Sequence, residues 1–208
     1  LGTALATAAG LLLAYPSAYR LHALGSPQLS GQVWAGRFRS ALAWGARGVA
    51  NLGRTLPELI WALVFIFAVG LGPFAGALAL GVHTAGVLSR LYSEALEEIP
   101  VGPYQALRES GSSHFAAVLF GVYPQAFPQL VAYTLYRWEV NIRASAVLGV
   151  VGAGGIGTAL YLSLAWFNHP RTLTLIVIIL AMVTAVDFFS GWLRRRVIRH
   201  CANCCRAL

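Results

Sequence analysis

The sequence predicts an all-α integral membrane protein, one domain over residues 1–208 with about five transmembrane helices. Hydrophobic residues make up 58% of the chain and charged residues 11%, whereas a soluble domain has roughly 25% charged residues. Uncharged apolar stretches recur between groups of arginines, and most are close to the length of about 20 residues that a bilayer span needs. Both observations indicate a chain that lies in a membrane.

The basic charge fits a membrane protein better than a nucleic-acid-binding protein. The formal net charge is +8, and all 15 basic residues are arginine. These arginines flank apolar stretches and do not line an aromatic-bearing groove. Because the chain has no lysine, a Walker A phosphate loop and a Schiff base are both excluded.

The first predicted span covers residues 1–20. Its uncharged length and the lack of a basic leader favour a span over a signal peptide, and the missing initial methionine leads us to expect residues upstream. The loop that follows, 20–57, is basic. Its stretch 40–53 has two interpretations, an interfacial helix with arginines toward lipid phosphates or an early start of the next span.

The remaining spans follow from the uncharged stretches. Residues 59–89 carry no charge and are too long for one span of about 30 Å, so a turn is expected in the glycine-rich stretch 70–76. The predicted spans are 54–71, 75–95, 124–148 and 172–193. Between the last two lie the glycine-rich stretch 151–157 and a short apolar segment packed near the surface.

Arginine placement predicts the orientation. With five spans, the 20–57 loop, the 96–123 loop and the tail share one side, and the opposite side has only Arg171. Because cytoplasmic loops retain arginine, the loops and the C-terminus are expected in the cytoplasm.

The 96–123 loop carries the sequence QALRESG (105–111), then nine residues, then GVYP (121–124). This spacing resembles the signature of the permease subunits of bacterial ABC importers, which is Glu-Ala-Ala, three residues, Gly, nine residues, then Ile-x-Leu-Pro. Ala106, Gly111 and Pro124 match it. The departures are Gln105 for glutamate, Leu107 for alanine, Gly121 for isoleucine and Tyr123 for leucine.

The resemblance implies that these seven positions, within the polar stretch 94–128, form a coupling element that docks on a separate ATPase subunit. The residues themselves predict a short helix in PVGPYQALRESG, with a proline near its start and a glycine at its end. The alternative is an ordinary cytoplasmic connector.

Three further stretches, 56–80, 91–99 and 136–157, resemble the permeases of phosphonate importers and together with the loop cover most of the chain. The resemblance implies a type I importer permease (MetI-like) fold in a bacterial inner membrane. It also implies a homodimer, two ATPase copies that bind ATP and Mg, and a solute-binding protein. No cofactor is expected in this chain. The implied solute is a phosphonate, phosphite or hypophosphite, which the sequence does not separate.

The fourth predicted span contains four polar residues that a membrane segment rarely tolerates without a function or a partner. At about 100° per residue, Arg137 and Asn141 share one helix face, and Glu139 and Arg143 share nearly the opposite face. We expect Glu139 and Arg143 to form a structural ion pair. Arg137 and Asn141 are the candidates for an anion path, although Glu58 or Asp187 are possible partners of Arg137.

Other interpretations are weaker. The stretch VGAGGIG follows a membrane helix and not a strand, which argues against a dinucleotide site. The tail cysteines Cys201, Cys204 and Cys205 have metal-like spacing but no second ligand cluster, so no metal is expected. A membrane-embedded enzyme would need acids or histidines clustered at one interface, but the seven acids are scattered and their only group, Glu94, Glu97 and Glu98, lies in the expected docking region. An ATP-independent anion channel or secondary transporter is the alternative function, but no inverted repeat is evident.

Overall fold

The computed structural model describes residues 2–17 and 33–206, with side chains described for 2–14, 41 and 43–196. Every regular element in this part of the chain is helical, as predicted. The elements are α1 (Gly2–Ser17), α2 (Val33–Thr55), α3 (Glu58–Val69), α4 (Pro73–Glu98), α5 (Gly102–Glu109), α6 (His114–Ala117), a π turn (Val118–Val122), α7 (Tyr123–Leu148), a second π turn (Gly149–Ala153), α8 (Ile156–Ala165) and α9 (His169–Arg206).

Several helices are apolar enough to cross a membrane. Among the described residues, three helical stretches are long and apolar enough to cross a membrane, judged by length and composition alone: Pro73–Glu98, His114–Ala153 and His169–Arg196. The bent pair Ala43–Thr55 and Glu58–Val69 makes a fourth if it forms one span. Two shorter apolar stretches, Gly2–Ala14 of α1 and Ile156–Ala165 of α8, complete the apolar helices of the described residues.

Helix α4 is the centre of the bundle, because α1, α2, α3 and α7 all pack against it. It begins at Pro73, a residue that suits the first turn of a helix. It ends at Glu98, where Pro100 holds Ile99 in an extended conformation. Its fully buried side chains include Leu88 and Tyr92. The larger apolar core of the bundle therefore forms around the second half of α4.

A sharp bend separates α2 from α3. The two helices meet at 94°, because Pro57 supplies no backbone N–H and has an extended ψ of 149°. The segment 40–53 thus lies within helix Val33–Thr55, which bends sharply before α3. The structure also differs from the predicted span 54–71, since Glu58–Val69 alone has 12 residues.

Helix α2 crosses α4 at two glycines. A Cβ atom on Gly86 would lie 2.7 Å from the carbonyl oxygen of Ala50 and 3.0 Å from the carbonyl carbon of Gly53. Larger residues would force the helices apart. Away from the crossing, Arg47 of α2 forms an ion pair with Glu97 of α4 at 3.1 Å. The backbone contact and the ion pair together fix α2 across the bundle.

The glycine-rich stretch ends α7 in a π turn and leads into the short helix α8. Gly152 has a φ of 106°, a conformation that turns the chain. A Cβ atom on Gly157 would lie 2.1 Å from the carbonyl oxygen of Ala146, so α8 packs directly on the end of α7. These glycines therefore allow close helix packing.

Helix α9 begins before and ends after the predicted span 172–193. Most of its described side chains are exposed, and the exposed apolar ones include Leu173, Ile176 and Leu180. Such a surface suits lipid or another protein subunit. The side chains of His200, Cys201, Cys204 and Cys205 lie outside the described residues.

Candidate functional site

The segment between α4 and α7 contains the short helix that the sequence predicts. Helix α5 runs from Gly102 to Glu109 and has Pro103 in its first turn. The predicted contact residues Gln105 and Ala106 are exposed on it, as are Arg108 and Glu109. This helix offers a polar surface at one end of the bundle.

Two backbone hydrogen bonds close the C-terminus of α5. The N–H of Gly111 donates to the carbonyl of Arg108, and the N–H of Ser112 donates to the carbonyl of Leu107, both at 3.1 Å. This is the Schellman arrangement, which needs a left-handed residue after the helix. Gly111 meets that need with a φ of 88°. The predicted glycine therefore stops the helix and turns the chain.

A single aromatic side chain anchors α5 to the bundle. Tyr104 is 3% exposed and belongs to the core cluster that includes Leu88 and Val122. Its hydroxyl lies 2.9 Å from Nδ1 of His114, and the two rings meet edge to face at 5.9 Å. The sequence pattern singles out neither Tyr104 nor His114. The one feature of the sequence that could have indicated this anchor is a single aromatic residue, Tyr104, in a short and mostly polar helix.

Gly121 allows α5 to lie directly on the π turn. A Cβ atom at this position would lie 3.2 Å from Cδ1 of Leu107 and 3.3 Å from the backbone N and Cα of Tyr104. Leu107 and Tyr123 are partly buried and pack against the core, whereas Pro124 is exposed in the first turn of α7. The predicted coupling residues thus fall into two groups, exposed residues that a partner could contact and partly or fully buried residues that hold α5 on the bundle.

Asn141 is buried between α7 and α4. It is 6% exposed, and its Oδ1 accepts a hydrogen bond of 2.9 Å from the hydroxyl of Thr84. Its Nδ2 has no hydrogen-bond partner among the described residues. Asn141 lines a mainly apolar cavity of about 400 Å³ that also contacts Gly76, Trp138 and Ser145.

Arg137 faces a different cavity. This second cavity, of about 570 Å³, lies where α2, α4 and α7 meet and is lined by Asn51, Arg54, Thr55, His83, Val87 and Arg137. Arg137 and Asn141 share the face of α7 that the helical spacing predicts, but the structure does not bring their side chains to one cavity. Neither of the suggested partners, Glu58 or Asp187, lies within 4 Å of Arg137 in the described structure.

Arg143 joins α7 to α9. Its Nη2 lies 3.2 Å from both carboxylate oxygens of Asp187 and 3.4 Å from Oε1 of Glu139. The predicted pair is therefore part of a group of three residues. Asp187 was expected as a possible partner for Arg137, but it lies beside Arg143. The described residues contain no group of three or more His, Cys, Asp or Glu side chains that could hold a metal ion.

Comparison with known proteins identifies the family. The sequence profile of the "binding-protein-dependent transport system inner membrane component" family matches residues 31–199. The chain belongs to this family. It is 44% identical to the phosphite transport system permease protein PtxC of Stutzerimonas stutzeri over 72% of this chain and 54% of PtxC. It is 46% identical to a putative cryptic phosphonate transport system permease protein, PhnE2, of Escherichia coli over 58% of this chain and 99% of PhnE2.

The family resemblance stated from the motifs is thus confirmed. A further member, the phosphate-import permease protein PhnE of Mycolicibacterium smegmatis, is 41% identical over 76% of this chain and 30% of that protein. The chain spans between about a third and somewhat over half of the length of the first curated relatives it matches.

Solved structures confirm the fold. An inward-facing structure of the MetNI methionine ABC transporter matches with a TM-score of 0.69 at 25% identity, over 94% of this chain and 91% of that one. An amino acid ABC transporter solved with histidines matches with a TM-score of 0.68 at 18% identity, over 94% and 88% of the two chains. The predicted MetI-like fold is therefore the fold of this family member.

Proposed function

We propose that the chain is the membrane-spanning subunit of an ATP-driven importer that moves a phosphorus oxyanion into the cell. The solute class is a phosphonate, phosphite, hypophosphite or related anion, as the names of the relatives suggest. The observation that carries the proposal is the exposed helix α5, held on the bundle by Tyr104 at the position of the family's docking motif. Such a helix gives a separate ATPase a rigid contact.

The partners follow from this function. Two ATPase copies would bind ATP and Mg, a solute-binding protein would deliver the anion, and a second copy of the chain would complete the pathway. The exposed apolar surface of α9 leaves room for lipid or for that second copy. The α5 end of the bundle and the C-terminus would lie in the cytoplasm, because the arginines gather there. The chain would then catalyse no reaction itself.

The contacts of α5 suggest how ATPase movement reaches the membrane helices. Tyr104 is buried in one cluster with Leu88 of α4 and Leu130 of α7. The Tyr104–His114 hydrogen bond links α5 to α6, and Gly121 places the π turn directly under α5. A displacement of α5 would therefore be passed to α7 without a flexible joint, because packed cores transmit strain.

Reconstitution tests the proposal. The full-length protein would be co-expressed with candidate ATPase and binding-protein subunits from the same genome, purified and placed in proteoliposomes. We expect phosphite, methylphosphonate or hypophosphite to stimulate ATP hydrolysis and to accumulate inside. Failure of the ATPase to copurify would contradict the importer assignment. Stimulation by none of these anions would contradict the solute class alone.

A further inference from the structure

The cavity at the junction of α2, α4 and α7 is lined by two arginines, and Glu58 is a carboxylate nearby. Arg54 and Arg137 line it together with Asn51, Thr55 and His83. Arg47, Arg90 and Arg143 each have a carboxylate within 3.2 Å. Among the described residues, no acid lies within 4 Å of either cavity arginine. The two guanidinium groups therefore leave an excess of positive charge at the cavity.

The donors in the cavity are available to a ligand. Arg54 donates from Nε to Oδ1 of Asn51 at 3.0 Å, a bond within α2 that leaves its terminal nitrogens for other contacts. The Nε–H of Arg137 is buried and has no hydrogen-bond partner in the part of the chain that the structure describes. A half-buried arginine with an unpaired donor is unfavourable unless another group supplies the acceptor. A bound anion would supply it.

The remaining polar groups hold the cavity in shape. The Nδ1–H of His83 donates to the carbonyl of Leu56 at 3.0 Å, because a carbonyl oxygen only accepts. Glu58 lies 3.7 Å from Nε2 of His83. Both contacts link α4 to the α2–α3 bend. Glu58 contributes one negative charge near the cavity, whereas Arg54 and Arg137 contribute two positive charges. The net charge near the cavity therefore stays positive.

We propose that this cavity binds a phosphorus oxyanion through Arg54 and Arg137. Resting on the proposed transport function, we further assign the bound anion as the transported solute. A tetrahedral oxyanion presents several oxygens, and the planar guanidinium fork matches two of them at once. The cavity, at about 570 Å³, is wide enough for an anion that keeps part of its hydration. Binding should be weak, because a transport path must release its ion.

Binding is measured with ³¹P NMR on the full-length protein in maltoside micelles, which contain no phosphorus. The probes are phosphite and, separately, the short-chain lipid dihexanoyl phosphatidylglycerol. We expect wild-type protein to broaden the phosphite resonance, and Arg137→Gln and Arg54→Gln to weaken phosphite binding by about tenfold each, the loss of one charge-assisted contact. Arg90→Gln is the charge-matched control, because Arg90 is exposed and pairs with Glu94 of its own helix.

Uptake in proteoliposomes supplies the second readout. Arg137→Gln should reduce phosphite uptake by about tenfold while the ATPase still copurifies, and Arg137→Lys should retain part of it because the charge remains without the fork. Normal phosphite binding and uptake in Arg137→Gln and Arg54→Gln would overturn the proposal. Broadening of the lipid resonance alone would overturn the assignment to the transported solute. A wild-type complex that transports phosphite while both variants behave normally would refute the site and leave the proposed function intact.

Discussion

The hydroxyl of Tyr104 lies 2.9 Å from Nδ1 of His114, and this contact joins the exposed helix α5 to the start of the segment that becomes α7. Tyr104 is the buried member of an otherwise largely exposed helix. Its ring packs in the core, and its hydroxyl orients α5 through the hydrogen bond to His114. These two contributions can be separated by substitution.

Tyr104→Phe removes the hydrogen bond and keeps the ring. We expect a loss of about 1 kcal/mol in the free energy of unfolding, with weaker coupling of ATP hydrolysis to uptake. Tyr104→Ala also empties the core and should cost roughly 3 to 5 kcal/mol. The measurements are thermal melting in detergent and the ratio of solute moved to ATP hydrolysed. Tyr161→Phe, at an exposed tyrosine, is the matched control. An unchanged ratio in Tyr104→Phe would show that the hydroxyl plays no part in coupling.

Position 111 requires glycine because of its backbone conformation and not because neighbouring atoms exclude a side chain. It has a φ of 88°, and no atom lies within 4 Å of a Cβ built on it. Gly111→Ala should therefore destabilise the turn by about 1 kcal/mol and loosen ATPase binding moderately. Gly111→Arg adds bulk and charge to the docking surface and should detach the ATPase while the bundle stays folded.

Copurification of the ATPase with each Gly111 variant measures this effect, and the melting temperature reports on folding. Gly102→Ala is the control, because Gly102 is also exposed with open space around it but has no left-handed conformation. Full transport by a Gly111→Arg complex would count heavily against the docking role of α5.

Gly121 stands where the family signature has isoleucine, and the structure explains the departure. Leu107 and the backbone of Tyr104 leave no room for a branched side chain. We expect Gly121→Ile to destabilise the protein by about 1 to 3 kcal/mol. Adding Leu107→Ala should restore only part of this loss, because the Tyr104 backbone contact remains. Gly45→Ile, at an open position of α2, tests the effect of isoleucine itself. Equal melting temperatures for the two isoleucine variants would contradict the packing explanation.

Much of the fold follows from the sequence because bilayer spans depend on long uncharged stretches, which are visible directly. The sequence does not predict the bend at Pro57, because the span 54–71 is counted across this proline, whereas the structure ends α2 before it and gives α3 12 residues. Helix α5 was found from Pro103 and Gly111, since both act locally on the backbone.

The candidate sites depend on contacts between distant segments, and these are harder to predict. Helical spacing correctly places Arg137 and Asn141 on one face of α7, but it does not say which helices that face meets. Arg54 lines the Arg137 cavity because α2 crosses α4 at Gly86, beside Arg54. Likewise, Tyr104 and His114 come together only through the turn at Gly111. No local pattern contains that information.

The contact between Arg143 and Asp187 predicts how α7 and α9 are held together. Both carboxylate oxygens of Asp187 lie 3.2 Å from the same guanidinium nitrogen, and Glu139 lies 3.4 Å away. In water such a half-exposed pair would contribute about 0 to 1 kcal/mol, but lipid around α9 would screen the charges less. Asp187→Asn should therefore lower the melting temperature by more than Glu109→Gln, a substitution at an exposed acid outside the bundle.

A charge exchange separates the Arg143–Asp187 contact from the individual side chains. The single variant Asp187→Arg places two positive charges side by side and should impair assembly. Combining it with Arg143→Asp restores opposite charges between α7 and α9 and should recover part of the stability, although Glu139 would then face an acid on its own helix. Further replacing Glu139→Gln should improve the recovery, because it removes that repulsion. If the exchanged pair melts no higher than the less stable single variant, the two residues do not hold α7 and α9 together through their charges.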